Sequence, residues 1–186
     1  MNPQALLDDM EEKMMKTVEF VHSEFASVRT GKASPALVEN IQVEAYDTHM
    51  RLRELAGIST PEPRLIVIQP WDPTVVQAVS KAIQQSPLGI TPIVDGKIIR
   101  IPIPELDQER RRELDKVLKK LAEDGRVAIR NERRHGVEAA KKLQKDSKIT
   151  EDELAHAEKE IQKKTDDYIK EIDTLLAHKE KEIMTV

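Results

Sequence analysis

The 186-residue chain contains no cysteine. This excludes disulfides, thiolate metal sites and cysteine nucleophiles, and it fits a reducing compartment. Aromatic residues make up only 3%, too few for an aromatic core or a base-stacking platform, and Trp71, set between a strand and a helix cap, is expected in a core. The six glycines are scattered, with neither a Walker loop nor a dinucleotide fingerprint among them. The five histidines (His22, His49, His135, His156, His178) show no metal-ligand spacing. Ser34 and Ser86 sit beside prolines in turn-like contexts, with no base placed to activate either. No enzyme, cofactor or metal is therefore expected. No apolar run reaches the roughly 20 residues that span a membrane, and Met1–Asn2–Pro3–Gln4 leads into acids rather than a signal peptide. A cytoplasmic protein without a membrane partner is the expectation.

What is abundant is charge: 34% of residues, with a formal net charge of −4 and a pI near 5.8. That argues against a generic polycation but leaves room for a local basic surface, because binding responds to the field at the contact. The richest concentration is Arg126–Val127–Ala128–Ile129–Arg130–Asn131–Glu132–Arg133–Arg134, inside a long predicted helix. In helical geometry Arg126, Arg130, Arg133 and Arg134 fall within an arc of roughly 100°. Only Glu132 intervenes, and planar, bidentate donors on one face suit phosphate. The bland reading is a solvated helix face. Arg29 and Lys32, with no acid between them, add cations at the end of the first helix, whereas most of Arg110–Arg111–Arg112 and Lys119–Lys120 are offset by neighbouring acids.

Asn2–Pro3 is a helix start, and Leu7, Met10, Met14, Val18, Val21, Phe25 and Val28 continue a stripe to about Arg29. Nine of the ten prolines lie between Pro35 and Pro104, together with the β-rich runs. Ile41–Tyr46 alternates as a half-buried strand and Arg64–Gln69 reads as a more buried one. Asp72–Pro73 caps a short helix ended by Ser86–Pro87, and Asp95–Gly96 marks a hairpin between Thr91–Val94 and Lys97–Ile103. Helix then returns to the end, with a stripe of Leu114, Val117, Leu121, Ala128, Ala139 and Leu143 interrupted by Gly125 and Gly136. After a break at Ser147–Lys148, the Thr150–Glu153 capping box opens a last helix with Leu154, Ala157, Ile161, Tyr168, Ile172 and Leu175. The expected fold is α+β with two domains: residues 1–30 plus 105–186 as an elongated three-helix bundle, and residues 31–104 as an inserted small α/β domain. Two crossovers, Thr30–Gly31–Lys32–Ala33 and Pro102–Ile103–Pro104–Glu105, are read as a two-stranded hinge.

Arg29–Thr30–Gly31–Lys32–Ala33–Ser34–Pro35, Glu109–Arg110–Arg111 and Val127–Ala128–Ile129–Arg130–Asn131–Glu132–Arg133–Arg134 together resemble the ribosome recycling factors, and the order of helix, insert and helical pair is similar throughout the chain. The resemblance implies an L-shaped molecule with the outline of transfer RNA. It implies a non-enzymatic translation factor that, with elongation factor G and its GTP, splits post-termination ribosomes and frees messenger RNA and deacylated transfer RNA. GTP then belongs to that partner, and a monomer is expected. Arg130 and Arg133 match arginines that contact large-subunit ribosomal RNA and Arg29 one at the hinge end, with Arg111 and Arg134 after them; Lys32 and Arg126 join from the patch itself. The sequence departs from the family at Asp47–Thr48–His49–Met50–Arg51–Leu52, where Gly-Thr-Pro-x-Pro-Leu is usual, and at Lys32, where arginine is usual. The rival reading is a helical coiled-coil adaptor or cochaperone, which would expose an apolar groove instead of an arginine face.

Overall fold

A computed structural model describes residues 2–185. Five helices and six strands follow in the order α1 (Pro3–Ser27), β1 (Gln42–Ala45), β2 (Thr48–Arg51), α2 (Leu52–Leu55), β3 (Ala56–Glu62), β4 (Leu65–Pro70), α3 (Val76–Gln85), β5 (Ile93–Asp95), β6 (Ile98–Pro102), α4 (Gln108–Lys145) and α5 (Glu151–Met184). They form two compact units. One takes the chain up to Phe25 and Glu113–Lys181; the other takes Ala26–Arg112 and the residues from Glu182 on.

The helical unit is built from three amphipathic faces. Asn2 starts α1 by accepting from the Ala5 amide at 2.7 Å with Pro3 in the first helical position. Leu6, Leu7, Met10, Met14, Val18, Val21 and Phe25 are buried. At the start of α5 the Thr150 amide donates to the Glu153 carboxylate at 2.7 Å and the Glu153 amide donates to Thr150 Oγ1 at 3.1 Å, a reciprocal capping box. The buried face of α4 is Leu114, Leu118, Ala122, Gly125, Ile129, Gly136, Ala140 and Leu143, which corrects the expected stripe. Val117 is 48% exposed, and the two glycines are core positions rather than interruptions. Their missing side chains admit Val21 and Met10 of α1: a Cβ on Gly125 would lie 2.6 Å from Val21 Cγ2, and one on Gly136 2.8 Å from Met10 Sδ.

The second unit holds an antiparallel four-stranded sheet in the order β3-β4-β6-β5 and a separate β1-β2 hairpin. Ile66 and Ile68 of β4, Ile99 and Ile101 of β6, Val43 of β1, Leu52 of α2 and Val79 and Ile83 of α3 are fully buried in one core, each such aliphatic contributing on the order of 1.5–3 kcal/mol relative to exposure. The β1-β2 turn is Tyr46–Asp47, both at positive φ (54° and 59°), the geometry of a type I′ turn without glycine. The β5-β6 loop is Gly96–Lys97 rather than Asp95–Gly96, since Asp95 pairs with Ile98 and only Gly96 has positive φ.

Trp71 is 68% exposed, not in the core: its amide bonds the Leu55 carbonyl while Asp72 turns the chain outward by accepting from the Thr74 amide and the Tyr46 hydroxyl. The two chain crossings are tied to one turn: the Ala33 amide donates to the Pro63 carbonyl and the Ile103 amide to the Arg64 carbonyl, both at 2.7 Å, and Arg64 pairs with Glu105.

Candidate nucleic-acid interface

The serines that a nucleophile search would examine are helix caps. Ser34 Oγ accepts from the Ala36 amide, and Ser86 Oγ donates to the Ile83 carbonyl at 2.6 Å. A hollow of about 450 Å³ near Ser86, also lined by Glu44, His49 and Lys81, therefore has its hydroxyl already committed. Among the described residues no group of three histidines or acids could hold a metal ion, and no helix is long and apolar enough to cross a membrane.

The arginines of α4 start from one sequence run but have four different surroundings. Arg126 is largely enclosed, its side chain 21% exposed. Its Nε and Nη2 both donate to Asp173 Oδ1 of α5, at 2.7 and 2.6 Å, and its Nη1 donates to Glu123 Oε2 at 3.0 Å. Glu123 also reaches Arg130, whose Nη1 lies 3.1 Å from Oε1. The Arg126 guanidinium first, then that of Arg130, holds the Glu123 carboxyl below its ordinary range. Arg133 bonds the neutral Gln162 of α5 at 3.2 Å. Arg134 is exposed and has no acidic partner among the described residues. The reason is angular: taking Arg126 as zero, Arg133, Arg130 and Arg134 lie near −20°, +40° and +80° on the helix. Arg133 and Arg126 sit beside α5, while Arg130 and Arg134 turn to solvent.

The expectation that only Glu132 dilutes the run is thus corrected. The neutralising acids are Glu123, one turn upstream, and Asp173, on another helix. Glu132 turns to the other side, 4.0 Å from His135 and close enough to Lys13 of α1 to help raise that amine's pKa, which Asp9 chiefly raises.

Arg29, Lys32 and Arg111 belong to the second unit. Arg29 is half-buried with Arg110 nearby, and burial first, then the Arg110 charge, lowers its pKa. No acid pairs with it among the described residues. An arginine that is partly desolvated against another arginine is held ready for an anion. Arg110, set aside above among residues offset by neighbouring acids, is the cation beside Arg29 that sequence reading missed; the Arg-Arg-Arg run was the available signal. Arg111 is committed within the fold, donating to the carbonyls of Leu106 (3.3 Å) and Met184 (3.1 Å), the latter in the last turn of α5. Lys32 is exposed beside a hollow lined by Gly31, Pro63, Arg64, Glu182 and Thr185. Gly31 takes φ 80°, a conformation open to glycine at little cost.

The ribosome recycling factor family model matches residues 21–184. The chain is 55% identical to the ribosome-recycling factor of Pelotomaculum thermopropionicum over 129 residues, covering 69% of this chain and 70% of that protein. It is 50% identical over 142 residues to that of Akkermansia muciniphila, covering 75% and 76%. A solution structure of ribosome recycling factor superposes with a TM-score of 0.82 at 44% identity, covering 100% of this chain and 99% of that one. A second structure, covering 99% and 100%, matches with a TM-score of 0.70 at 41% identity. It shows the T. thermophilus ribosome recycling factor and E. coli elongation factor G bound to the E. coli post-termination complex. With the arginine face, the α+β architecture and these relatives in agreement over nearly the whole length, this chain belongs to the ribosome recycling factor family.

Proposed function

We propose that Arg130, Arg133 and Arg134 of α4, with Arg29 and Lys32 of the second unit, dock this chain on large-subunit ribosomal RNA, and that elongation factor G then drives the splitting of the post-termination ribosome. The recycling role follows from the family, whose members are translation factors and not enzymes. GTP is hydrolysed by the elongation factor, and this chain needs no cofactor of its own. The observation that carries the docking assignment is the charge imbalance: Arg133 and Arg134 extend past the acid-matched Arg126 with nothing but a neutral glutamine against them. Such a face reads the backbone and shape of folded RNA.

The crossovers Thr30–Ala33 and Pro102–Glu105 serve as a hinge, the protein acts as a monomer, and it works in the cytoplasm. An adaptor groove would require a continuous exposed apolar stripe. Met15 and Phe20, the exposed large apolar residues of α1, stand about 140° apart round the helix and make none.

The direct test is conversion of purified post-termination ribosomes to subunits with elongation factor G and GTP, with and without this chain. Splitting that does not depend on the chain overturns the assignment. Arg133→Ala tests the face itself. Losing one charge-assisted contact should weaken binding to large subunits by about 1–2 kcal/mol, roughly 5- to 30-fold, and reduce the salt slope by about one. The melting temperature should stay put.

A further inference from the structure

We propose that Glu123 is a resident counter-anion for Arg130, standing where a phosphate would stand and leaving when α4 docks on RNA, so that it limits how tightly the docked state is held. The proposal rests on the docking assignment above. Glu123 presents its two oxygens to two arginines, 3.0 Å from Arg126 Nη1 and 3.1 Å from Arg130 Nη1. A carboxylate and a phosphate are the two groups a guanidinium fork accepts in the same way.

The two arginines differ in how far they can follow another anion. Arg126 is held by Asp173 on α5 through two nitrogens and stays with the bundle. Arg130 has Glu123 as its acidic partner, and both side chains are about half exposed, 43% and 52%. Exposed pairs of this kind are weak and exchange readily. On docking, Arg130 swings to the phosphodiester while Glu123 stays on Arg126, so no charge is left bare. Part of the energy of the phosphate contact goes into that exchange. Arg133, resting on neutral Gln162, and Arg134 dock without any such exchange.

The consequence is a face with two ready cations and one held in reserve, which suits a factor that must leave the ribosome after each round. Binding that includes Arg130 also carries a shallower salt dependence than its count of arginines implies, because the released glutamate keeps its negative charge at the contact.

The test uses the full chain with purified large ribosomal subunits, comparing wild type, Glu123→Gln, Arg130→Ala and the double variant across a salt series. Glu123→Gln is expected to tighten binding about three- to five-fold, mainly through slower dissociation, and to steepen the salt slope by up to about one. In the Arg130→Ala background the same change should do nothing. Unchanged or weaker binding by Glu123→Gln overturns the proposal and makes Glu123 a support for Arg130. A gain that persists without Arg130 also overturns it, since the effect would then be a general field. Arg133→Ala leaves the Glu123 pair untouched; if it fails to weaken binding, the docking assignment falls, whichever way the Glu123 cycle comes out.

Discussion

Val21 Cγ2 occupies the space where a Cβ on Gly125 would sit, and Ile172 Cδ1 closes the other side at 3.2 Å. A β-branched side chain cannot swing away, so Gly125→Ala sets overpacking of about 1–3 kcal/mol against a helix-propensity gain of about 1 kcal/mol. Net destabilisation is expected in denaturant melts; a gain in stability would show that α1 and α4 separate at no cost. Gly136→Ala meets the flexible Met10 thioether instead, and should come out nearer neutral. A second residue-level device joins α1 to α5: Lys164 and the Tyr168 hydroxyl both donate to the Glu11 carboxylate, at 2.5 and 3.1 Å. Lys164 is the main cause of the lowered Glu11 pKa. A carboxyl with a depressed folded-state pKa gives stability that is present above its unfolded pKa, about 4.3, and lost as pH falls through the lower folded value. The melting-temperature difference between wild type and Glu11→Gln should therefore be present at pH 7 and shrink below about pH 4. A difference that does not move with pH would assign it to packing. The same reasoning separates the arginines, since their positions can be read from a 3.6-residue period while their counter-anions cannot. Asp173 lies 47 residues from Arg126, and no local pattern announces it.

Among the elements, the β1-β2 hairpin holds its turn with Tyr46 and Asp47 in left-handed geometry, Tyr46 further fixed by its bond to Asp72. Aspartate tolerates left-handed backbone better than most residues but less readily than glycine, and glycine is favoured in the second turn position. Asp47→Gly should stabilise the sheet-bearing unit by about 0.5–1 kcal/mol, seen as slower amide exchange at Val43 and Ala45. Faster exchange there would mean that Asp47 has a role beyond its dihedral angles. Elements with a strong period and explicit caps were the legible ones: α1 behind Asn2–Pro3, α5 behind Thr150 and Glu153, and β1 with its alternating Val43 and Ala45. The stripe of α4 was misplaced because hydrophobicity favours Val117 over Gly125, whereas close helix approach selects the residue with no side chain. Strand β3 has no clear sequence signal, since Gly57, Ser59, Thr60 and Pro61 interrupt any apolar alternation. It is an edge strand, where one unpaired side tolerates proline. Trp71 departs from the core position expected of it because hydrophobic content says nothing of which way a capped turn faces.

For the whole molecule, the chain divides into a long helical body and a sheet body, each with its own buried core, and the hinge proposed above predicts that the two move independently. The absence of cysteine makes this directly measurable. Cysteines introduced at Lys97 and His156, both exposed and in different units, would carry spin labels, and the distance distribution should be broad in the free protein. One narrow distance would remove the hinge. The ties at Pro63 and Arg64 lie inside the sheet body. Consecutive carbonyls of a single turn hold both chain crossings, one at Ala33 and one at Ile103, so a pull on either crossing is delivered to the same two residues. The β3-β4 turn is a yoke within the sheet-bearing unit, coupling the chain that follows α1 to the chain that precedes α4. Loosening that turn, with glycine in place of Pro63, would slacken both reins together.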